Sequence, residues 1–190
     1  MKDQEKTELL KHSYFYHITS IKELELYPRG ALKMIVSPYK VLNDYGIDTS
    51  ILTNYKVLIL PENIEDKNED EFKDTIDSLS LYKNLKASRI ECANSNDLGL
   101  DTYFFERRGA DIWLGTVWIL ENVVVPFVLF AICDKINNHK KNETEEDISA
   151  LKVLETQVHL NLRFPNGSKI KYDGDAKTLS LILETFAKRE

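Results

Sequence analysis

Two short charged motifs contain the residue types that bind ligands or transfer protons. The first is Glu106-Arg107-Arg108, with Asp111 close behind it. Arginine binds carboxylates and phosphates through two parallel hydrogen bonds, so this cluster predicts an anion site or a partner site. The same residues would also form a salt-bridge network that anchors a strand end, and this structural interpretation is the one we favour.

The second motif is Tyr172-Asp173-Gly174-Asp175. Two carboxylates at this spacing could bind a metal ion or act as an acid–base pair. A strand-to-helix turn has the same requirements, because glycine permits a tight bend and aspartate caps a helix. We favour the turn, and we keep Tyr172, Asp173 and Asp175 as candidate binding residues.

Other catalytic signatures are absent from the sequence. It contains no glycine-rich phosphate loop, no Gly-x-Ser-x-Gly elbow and no paired cysteine motif, and its histidines are dispersed. Cys92 and Cys133 match no metal spacing and are expected to be buried free thiols. We therefore expect no metal and no cofactor. A hydrolase or nuclease built from dispersed acids, such as Glu106, Asp111 and Asp173, is an alternative that requires carboxylates within about 10 Å of one another.

The charge of the chain is concentrated in one segment. The net charge is −6, and residues 62–77 alone hold eight acidic residues and two lysines. No basic stripe remains, so nucleic acid is not an expected partner. The segment is interpreted as a solvated helix face, with a docking surface for a basic partner as the alternative. The first twelve residues lack the apolar core of a signal peptide, which favours a cytoplasmic protein.

The elements that position these motifs are organised around residues 112–133, the longest apolar segment. Its length would cross a bilayer, but Glu121 and Asn122 interrupt it, so a membrane-acting role is only an alternative. We predict a strand or short helix over 112–120, then a helix from near Pro126 that is buried on most sides. Four large side chains of this helix should be covered by the rest of the chain: Phe127, Leu129, Phe130 and Ile132.

The residues before this segment predict an α/β fold, with mixed α+β as a variant. Strands are expected at 14–18, 31–36, 55–60, 89–92 and 102–105. The Ser20-x-x-Glu23 spacing predicts a short helix or turn through Leu24 and Leu26. A second helix, from about Glu69, should have one apolar stripe formed by Phe72, Ile76, Leu79 and Tyr82. Alternating strands and helices of this kind indicate a small mixed sheet with flanking helices.

The C-terminal part predicts a β-hairpin followed by a helix. Residues 158–164 alternate apolar and polar side chains, and a Pro-Asn-Gly-Ser turn leads into a second strand. A hairpin and helix of this size should dock on the central segment, because they cannot fold alone. The chain is interpreted as one domain over 1–190. Its parts are an α/β half (14–110), a buried central helical segment (111–136), a polar linker (137–152) and the hairpin with its helix (153–190).

The order of the two motifs around the apolar segment resembles a family of uncharacterised bacterial proteins. Members carry a Glu-Arg-Arg-Ser type motif before an apolar region and a Tyr-Glu-Gly-Asp type motif near the C terminus. The resemblance covers roughly residues 103–190. Gly109 replaces the serine, Asp173 replaces the glutamate, and Pro126 follows Asn122 by four residues instead of directly. The resemblance implies a link to mobile or defence-related bacterial genes and no assigned activity.

These features together favour a cytoplasmic bacterial α/β protein whose role is binding, as a component of an anti-phage defence or regulatory system. We expect a protein partner or self-association and no nucleic acid, and we keep a membrane as an alternative that the sequence disfavours. The sequence assigns no catalytic residue. The candidate binding residues are Glu106, Arg107, Arg108, Asp111, Tyr172, Asp173 and Asp175.

Overall fold

Strands in this chain form where apolar residues run continuously or alternate with polar ones. The computed structural model describes residues 23–27, 38–66, 71–105, 111–143 and 156–187. The strands are β1 (Glu23–Tyr27), β2 (Val57–Leu60), β3 (Phe72–Asp74), β4 (Cys92–Asn94), β5 (Thr102–Phe104), β6 (Ile112–Ile119), β7 (Gln157–Arg163) and β8 (Lys169–Asp175). The helices are α1 (Pro38–Asp44), α2 (Ile76–Ala87), α3 (Val125–Glu143) and α4 (Ala176–Ala187), with 3₁₀ turns at Thr49–Asn54 and Asn122–Val124.

Six strands form one mixed sheet in the order β1-β8-β7-β6-β2-β4. The β6–β7 and β2–β4 pairs are parallel, and the other neighbours are antiparallel. β3 and β5 form a separate parallel pair. The hairpin β7–β8 therefore docks on β6 as predicted, and the α/β fold with a mixed sheet and flanking helices is confirmed.

Two apolar clusters lie on opposite faces of the sheet. Helices α2, α3 and α4 cover one face, where they pack on alternate residues of β2, β6, β7 and β8. Within the described residues, the second cluster lies under α1 and the following 3₁₀ turn and covers the end of the sheet formed by β2, β4 and Trp118 of β6. In β2, Val57 and Ile59 belong to the first cluster and Leu58 and Leu60 to the second, as its continuous apolar run predicts. The β7–β8 end of the second face is polar.

A β-bulge at Gly115 keeps both halves of β6 packed against the helices. The register with β7 shifts between Trp113 and Gly115, and Gly115 has a φ of +69°. Ile112 and Leu114 face the helices before the bulge, and Val117 and Ile119 face them after it. A Cβ at Gly115 would lie 2.7 Å from the carbonyl oxygen of Leu60, so only glycine fits there. All four residues belong to β6, and the bulge shifts the alternation of inward and outward side chains by one residue.

The first residues of β6 extend beyond the end of β2, and the N terminus of α2 satisfies their backbone. The amide of Trp113 donates to Oδ2 of Asp77 at 3.0 Å. The carbonyl of Trp113 accepts from the hydroxyl of Thr75. Oδ1 of Asp77 also forms a salt bridge of 3.1 Å with the ammonium group of Lys135, and this contact links α2 to α3. Backbone groups at the bulge are thus paired despite the interrupted ladder.

The helix or turn predicted through Leu24 and Leu26 is wrong, because residues 23–27 form β1. Its sequence, Glu-Leu-Glu-Leu-Tyr, alternates with the period of a strand, and β1 pairs antiparallel with β8. Pairing across the sheet thus overrides a local capping pattern. The strands predicted at 14–18 and 31–36 and the cluster Glu106-Arg107-Arg108 lie outside the described residues.

The helix predicted from about Glu69 starts at Ile76 instead. Thr75 is its N-cap and forms a reciprocal capping box with Ser78. Phe72 lies in β3 and Ile76 is 59% exposed, so the predicted apolar stripe and the solvated helix face over 62–77 are wrong. One position of the true inward face is a serine, which no apolar pattern reveals. The residues of α2 that are buried are Ser78, Leu81 and Leu85.

The central segment divides into a strand and a helix as predicted, and the inner face of α3 is buried. Leu129 and Ile132 are 2% and 0% exposed. Phe127 and Phe130 are 60% and 73% exposed, so the expectation that all four side chains are covered is wrong for these two. The linker predicted over 137–152 is wrong for residues 137–143, because α3 continues to Glu143, and residues 144–155 lie outside the described ranges.

Candidate functional site

The polar face of the β7–β8 hairpin is the first candidate site. On β7 the side chains of His159, Asn161 and Arg163 alternate with buried apolar residues. On β8 Lys169, Lys171 and Asp173 do the same. The register sets His159 opposite Asp173, Asn161 opposite Lys171 and Arg163 opposite Lys169. Six polar side chains thus share the sheet face that points away from the three helices.

Five of these six side chains, all except Arg163, form the floor of a cleft of about 590 Å³. The opposite wall is the turn at residues 62–66, and β3 contributes Lys73. A volume of this size fits a small ligand. The full lining consists of Glu62, Asn63, Glu65, Asp66, Lys73, Gly115, His159, Leu160, Asn161, Lys169, Lys171, Tyr172 and Asp173.

Side-chain bonds hold the 62–66 wall in place. Arg163 makes two parallel hydrogen bonds to the Glu65 carboxylate, and both side chains are largely buried. The side chain of Asn63 joins the wall to residues 71–73, since Nδ2 donates to the Glu71 carbonyl at 2.7 Å and Oδ1 accepts from the Lys73 amide at 3.1 Å. The wall is therefore fixed to β7 on one side and to β3 on the other. The cleft is largely pre-formed.

His159 is held at the inner end of the cleft by two neighbours. Its ring stacks on Trp113 with centroids 3.3 Å apart and planes 11° from parallel. Nδ1 lies 3.4 Å from Oδ1 of Asp173, a buried oxygen that has no other hydrogen-bond partner among the residues the structure describes. A carboxylate beside Nδ1 favours the tautomer that carries its proton on Nδ1. The pair can therefore bind a ligand or relay a proton.

The predicted site residues are divided between the cleft and structural roles. Asp173 lines the cleft beside His159. Tyr172 also borders it, but its hydroxyl donates to the Asp175 carbonyl at 2.6 Å, and burial raises the pKa of this phenol. Asp175 caps α4 by accepting from the Thr178 amide at 2.8 Å. Asp111 accepts from the amide of Gln157 at 3.3 Å, at the start of the β6–β7 pair.

Cys92 and Asp74 are two ionisable groups outside the cleft whose pKa values are raised by burial. Burial raises the pKa of the Cys92 thiol to about 11. Burial also raises the pKa of the Asp74 carboxyl, and the nearby hydroxyls of Ser95 and Thr102 oppose this shift. Within the described ranges, no three His, Cys, Asp or Glu side chains converge so that they could hold a metal ion.

A second candidate surface is apolar and lies on the outer side of the helices that cover the sheet. α3 packs against both α2 and α4, and its inner face meets the sheet. Val123, Phe127 and Phe130 point away from that core and are 65%, 60% and 73% exposed. Phe127 and Phe130 lie on α3, and Val123 lies in the 3₁₀ turn that leads into it. We call these three residues the α3 apolar stripe.

Sequence reasoning missed most of the cleft and all of the stripe. The strict alternation of His159, Asn161 and Arg163 with apolar residues showed that a polar face exists. It did not show that Glu65, nearly a hundred positions away, would close over that face. The stripe was hidden because Phe127 and Phe130 have the composition of core residues.

Comparison with protein-family models, with curated proteins and with solved structures gives no match to this chain. Within the described ranges, no helix combines the length and apolar character needed to cross a membrane.

Proposed function

We propose that this chain is a cytoplasmic, non-catalytic binding component that docks an apolar segment of a partner protein on the α3 apolar stripe. The observation that carries the proposal is the exposure of two phenylalanines on α3 and of a valine in the 3₁₀ turn before it. Buried aromatic side chains supply much of the energy of protein interfaces. An uncharged run at the start of a surface helix is therefore a natural anchor for a partner.

The size of the stripe indicates the kind of contact. Three side chains of this type expose on the order of 300 Å² of apolar surface, which matches the functional patches found on monomers. A standard stable interface buries about 800 Å² on each partner. The stripe is thus either the anchor of a larger interface or the whole of a transient one.

Charge favours a basic partner over a second copy of the chain. Glu121 and Asp134 are exposed at the two ends of the stripe, and Glu184 of α4 is exposed near Cys133 of α3. The chain also has a net charge of −6. Two copies would bring like charges together, whereas a basic partner would gain from complementary potentials.

The biological setting is proposed from the resemblance of residues 103–190 to defence-associated bacterial proteins. The partner would then be encoded beside this chain's gene. The full chain is co-expressed with each neighbouring gene product, and complexes are captured on the tagged chain. Phe130→Glu should abolish the complex, and Asn137→Glu, which places the same charge on the polar half of α3, should retain it.

A complex that survives Phe130→Glu would contradict the proposal, as would a wild-type chain that only self-associates. A partner lost equally from both variants would point to charge alone, which also contradicts an apolar anchor.

A hydrolase is the second candidate, and the His159–Asp173 pair in the cleft is the observation that favours it. The pair could activate a water molecule by accepting its proton. The dispersed carboxylates proposed for such an enzyme receive less support, because Asp111 is bonded to the Gln157 amide. Hydrolysis of ester substrates that is lost in His159→Gln would favour this candidate over the binding role.

A membrane-acting role for residues 112–133 has the least support. Insertion would remove the strand β6 from between β2 and β7 and expose the core that it shares with α3. The second half of α3 is also polar, from Asp134 to Glu143. Both features make insertion of this segment into a membrane strongly unfavourable in free energy.

A further inference from the structure

We infer that the outer edge of β5 pairs antiparallel with β5 of a second copy of this chain, so that the protein forms a dimer with two-fold symmetry. The inference does not depend on partner docking, because the α3 apolar stripe belongs to a different element. It rests on the exposure of the β5 side chains, on the direction of the β5 main-chain groups and on the aromatic composition of residues 103–105.

The β3–β5 pair lacks the cover that parallel strands usually have. Parallel strands occur almost only where both faces of the sheet are buried. Neighbouring residues of a strand point to opposite faces, and Tyr103 and Phe104 are 65% and 55% exposed, so β5 is open to solvent on both faces. Within the described residues, β5 pairs with one strand only, β3. Two strands are also fewer than a stable sheet normally has, so this pair has the features of an incomplete sheet.

The register shows which main-chain groups of β5 face away from β3. The amide of Phe105 donates to the Asp74 carbonyl at 2.9 Å, and Asp74 is the β3 residue that pairs with Phe104. The main-chain groups of successive strand residues point to opposite edges, so those of Phe104 point away from β3. Phe104 is therefore the residue at which an added strand would form main-chain hydrogen bonds.

A second copy of β5 fits this edge because residues 103–105 are self-complementary about Phe104. A two-fold interface uses the same patch on both subunits. With the two-fold axis at Phe104, the two copies of this residue lie opposite each other and exchange both main-chain hydrogen bonds. Tyr103 of each copy then lies opposite Phe105 of the other, and aromatic pairs in this position stabilise antiparallel sheets. Each aromatic side chain thus gains an aromatic neighbour, which an unrelated strand would not provide.

The area of this surface indicates a weak dimer. Residues 103–105 expose roughly 350 Å² of aromatic side-chain surface on each copy, since Phe105 is also 48% exposed. Together with the backbone of the two strands, the area buried by both copies approaches the lower limit of specific interfaces, about 1,200 Å². We therefore expect a dissociation constant on the order of 10 µM.

The charge of Asp101 does not oppose this pairing. Residues 102–105 are uncharged, and Asp101 before them is exposed. In the proposed register the two copies of Asp101 are separated by about 20 Å along the strand direction. The screening length at physiological ionic strength is about 8 Å, so their mutual repulsion is largely screened.

The first test is sedimentation equilibrium of the full chain between about 1 and 200 µM, which spans the expected dissociation constant. The wild-type chain should change from monomer to dimer over this range. Phe104→Glu places two carboxylates opposite each other at the two-fold axis and should weaken the dimer at least about tenfold. Tyr39→Glu is the matched control, because Tyr39 is an exposed aromatic residue of α1 that receives the same charge. This variant should retain the dimer.

The second test probes the antiparallel register. Phe104→Cys, made in a Cys133→Ser background, should form a disulfide between two copies on oxidation. The Cα atoms of a directly opposite, hydrogen-bonded pair are about 5.5 Å apart, which lies within the range that a disulfide spans. Tyr39→Cys in the same background should stay monomeric in non-reducing electrophoresis. Cys92 is buried and should not react.

A wild-type chain that stays monomeric over the whole concentration range would overturn the inference. So would equal losses in Phe104→Glu and Tyr39→Glu, which would show a general charge effect, or the absence of a disulfide in Phe104→Cys. Circular dichroism of each variant checks that the fold is intact. Phe130→Glu should dimerise as the wild type does, and a dimer lost in Phe130→Glu but kept in Phe104→Glu would place the contact on α3 instead.

Discussion

Gly115 shows how a single residue determines the packing of the central strand. Its φ of +69° lies in the left-handed region, and the Leu60 carbonyl leaves no space for a side chain. The bulge it forms allows Leu114 and Val117 both to face the helices. The sequence shows a glycine inside an apolar run, but it does not reveal that the alternation changes phase there. A bulge depends on the neighbouring strands, which are remote in sequence.

Gly115→Ala should destabilise the fold by at least about 2 kcal/mol, from backbone strain and the clash with Leu60. Gly99→Ala is the matched control, because its φ is +73° but no atom lies within 4 Å of the added Cβ. That change should cost only about 1 kcal/mol. Urea unfolding of both variants measures the difference, and equal losses would contradict the close approach of β2 to Gly115.

The Cys92 thiol should be nearly unreactive in the folded chain. It is 1% exposed, and burial raises its pKa from an ordinary value of 9.0 to about 11. Cys133 is only half-buried and should react first with a thiol reagent. Cys133→Ser should remove the fast phase of that reaction, whereas a fast phase that persists in Cys133→Ser would place Cys92 at the surface.

The same pKa shift has a consequence for stability. A neutral Cys92 favours the folded state fully below about pH 9, and the gain is lost as the pH rises towards the folded value. Tyr172, whose pKa is also raised by burial, acts in the same direction. Unfolding midpoints in urea should therefore fall at alkaline pH, and less steeply in Cys92→Ala. An identical slope in this variant would contradict the contribution of Cys92.

At the scale of elements, α3 has two faces that the sequence does not distinguish. Val128 and Ile132 on one side and Phe127 and Phe130 on the other are all apolar, so composition predicts burial for each. Only packing against the sheet decides which of them are covered. By contrast, α4 could be predicted closely, because Asp175 caps it and Leu179 and Leu183 mark its inner face. The capping residue and the spacing of the apolar residues both lie within or beside α4, so its own sequence is enough to predict it.

Ile132→Ala should cost about 2–5 kcal/mol, because it leaves a cavity between α3 and the sheet. Phe130→Ala should change the free energy of unfolding by less than about 0.5 kcal/mol, since most of that side chain is already in solvent. Chemical denaturation of the two variants makes the comparison. A large loss in Phe130→Ala would show that another part of the chain covers the stripe, and the docking proposal would fail.

At the scale of the whole molecule, the sheet separates two surfaces. Helices cover one face, with the α3 apolar stripe on their outer side, and the polar cleft opens on the other face. Local patterns predicted the hairpin, the buried strand β2 and the α/β class. They could not predict that β7 pairs in parallel with β6 or that Glu65 reaches Arg163, because both contacts join residues far apart in sequence. The candidate site depends on those remote contacts.

Docking on the α3 apolar stripe is tested most directly by titrating the captured partner with the wild-type chain and with Phe130→Glu. The free energy of unfolding of both chains is measured alongside the two affinities. We predict at least about a tenfold loss of affinity, the scale expected for an aromatic anchor, with unchanged stability. Equal affinity for the two chains would contradict docking on α3. A fall in stability that matched the loss of affinity would show that Phe130 supports the fold instead of contacting a partner.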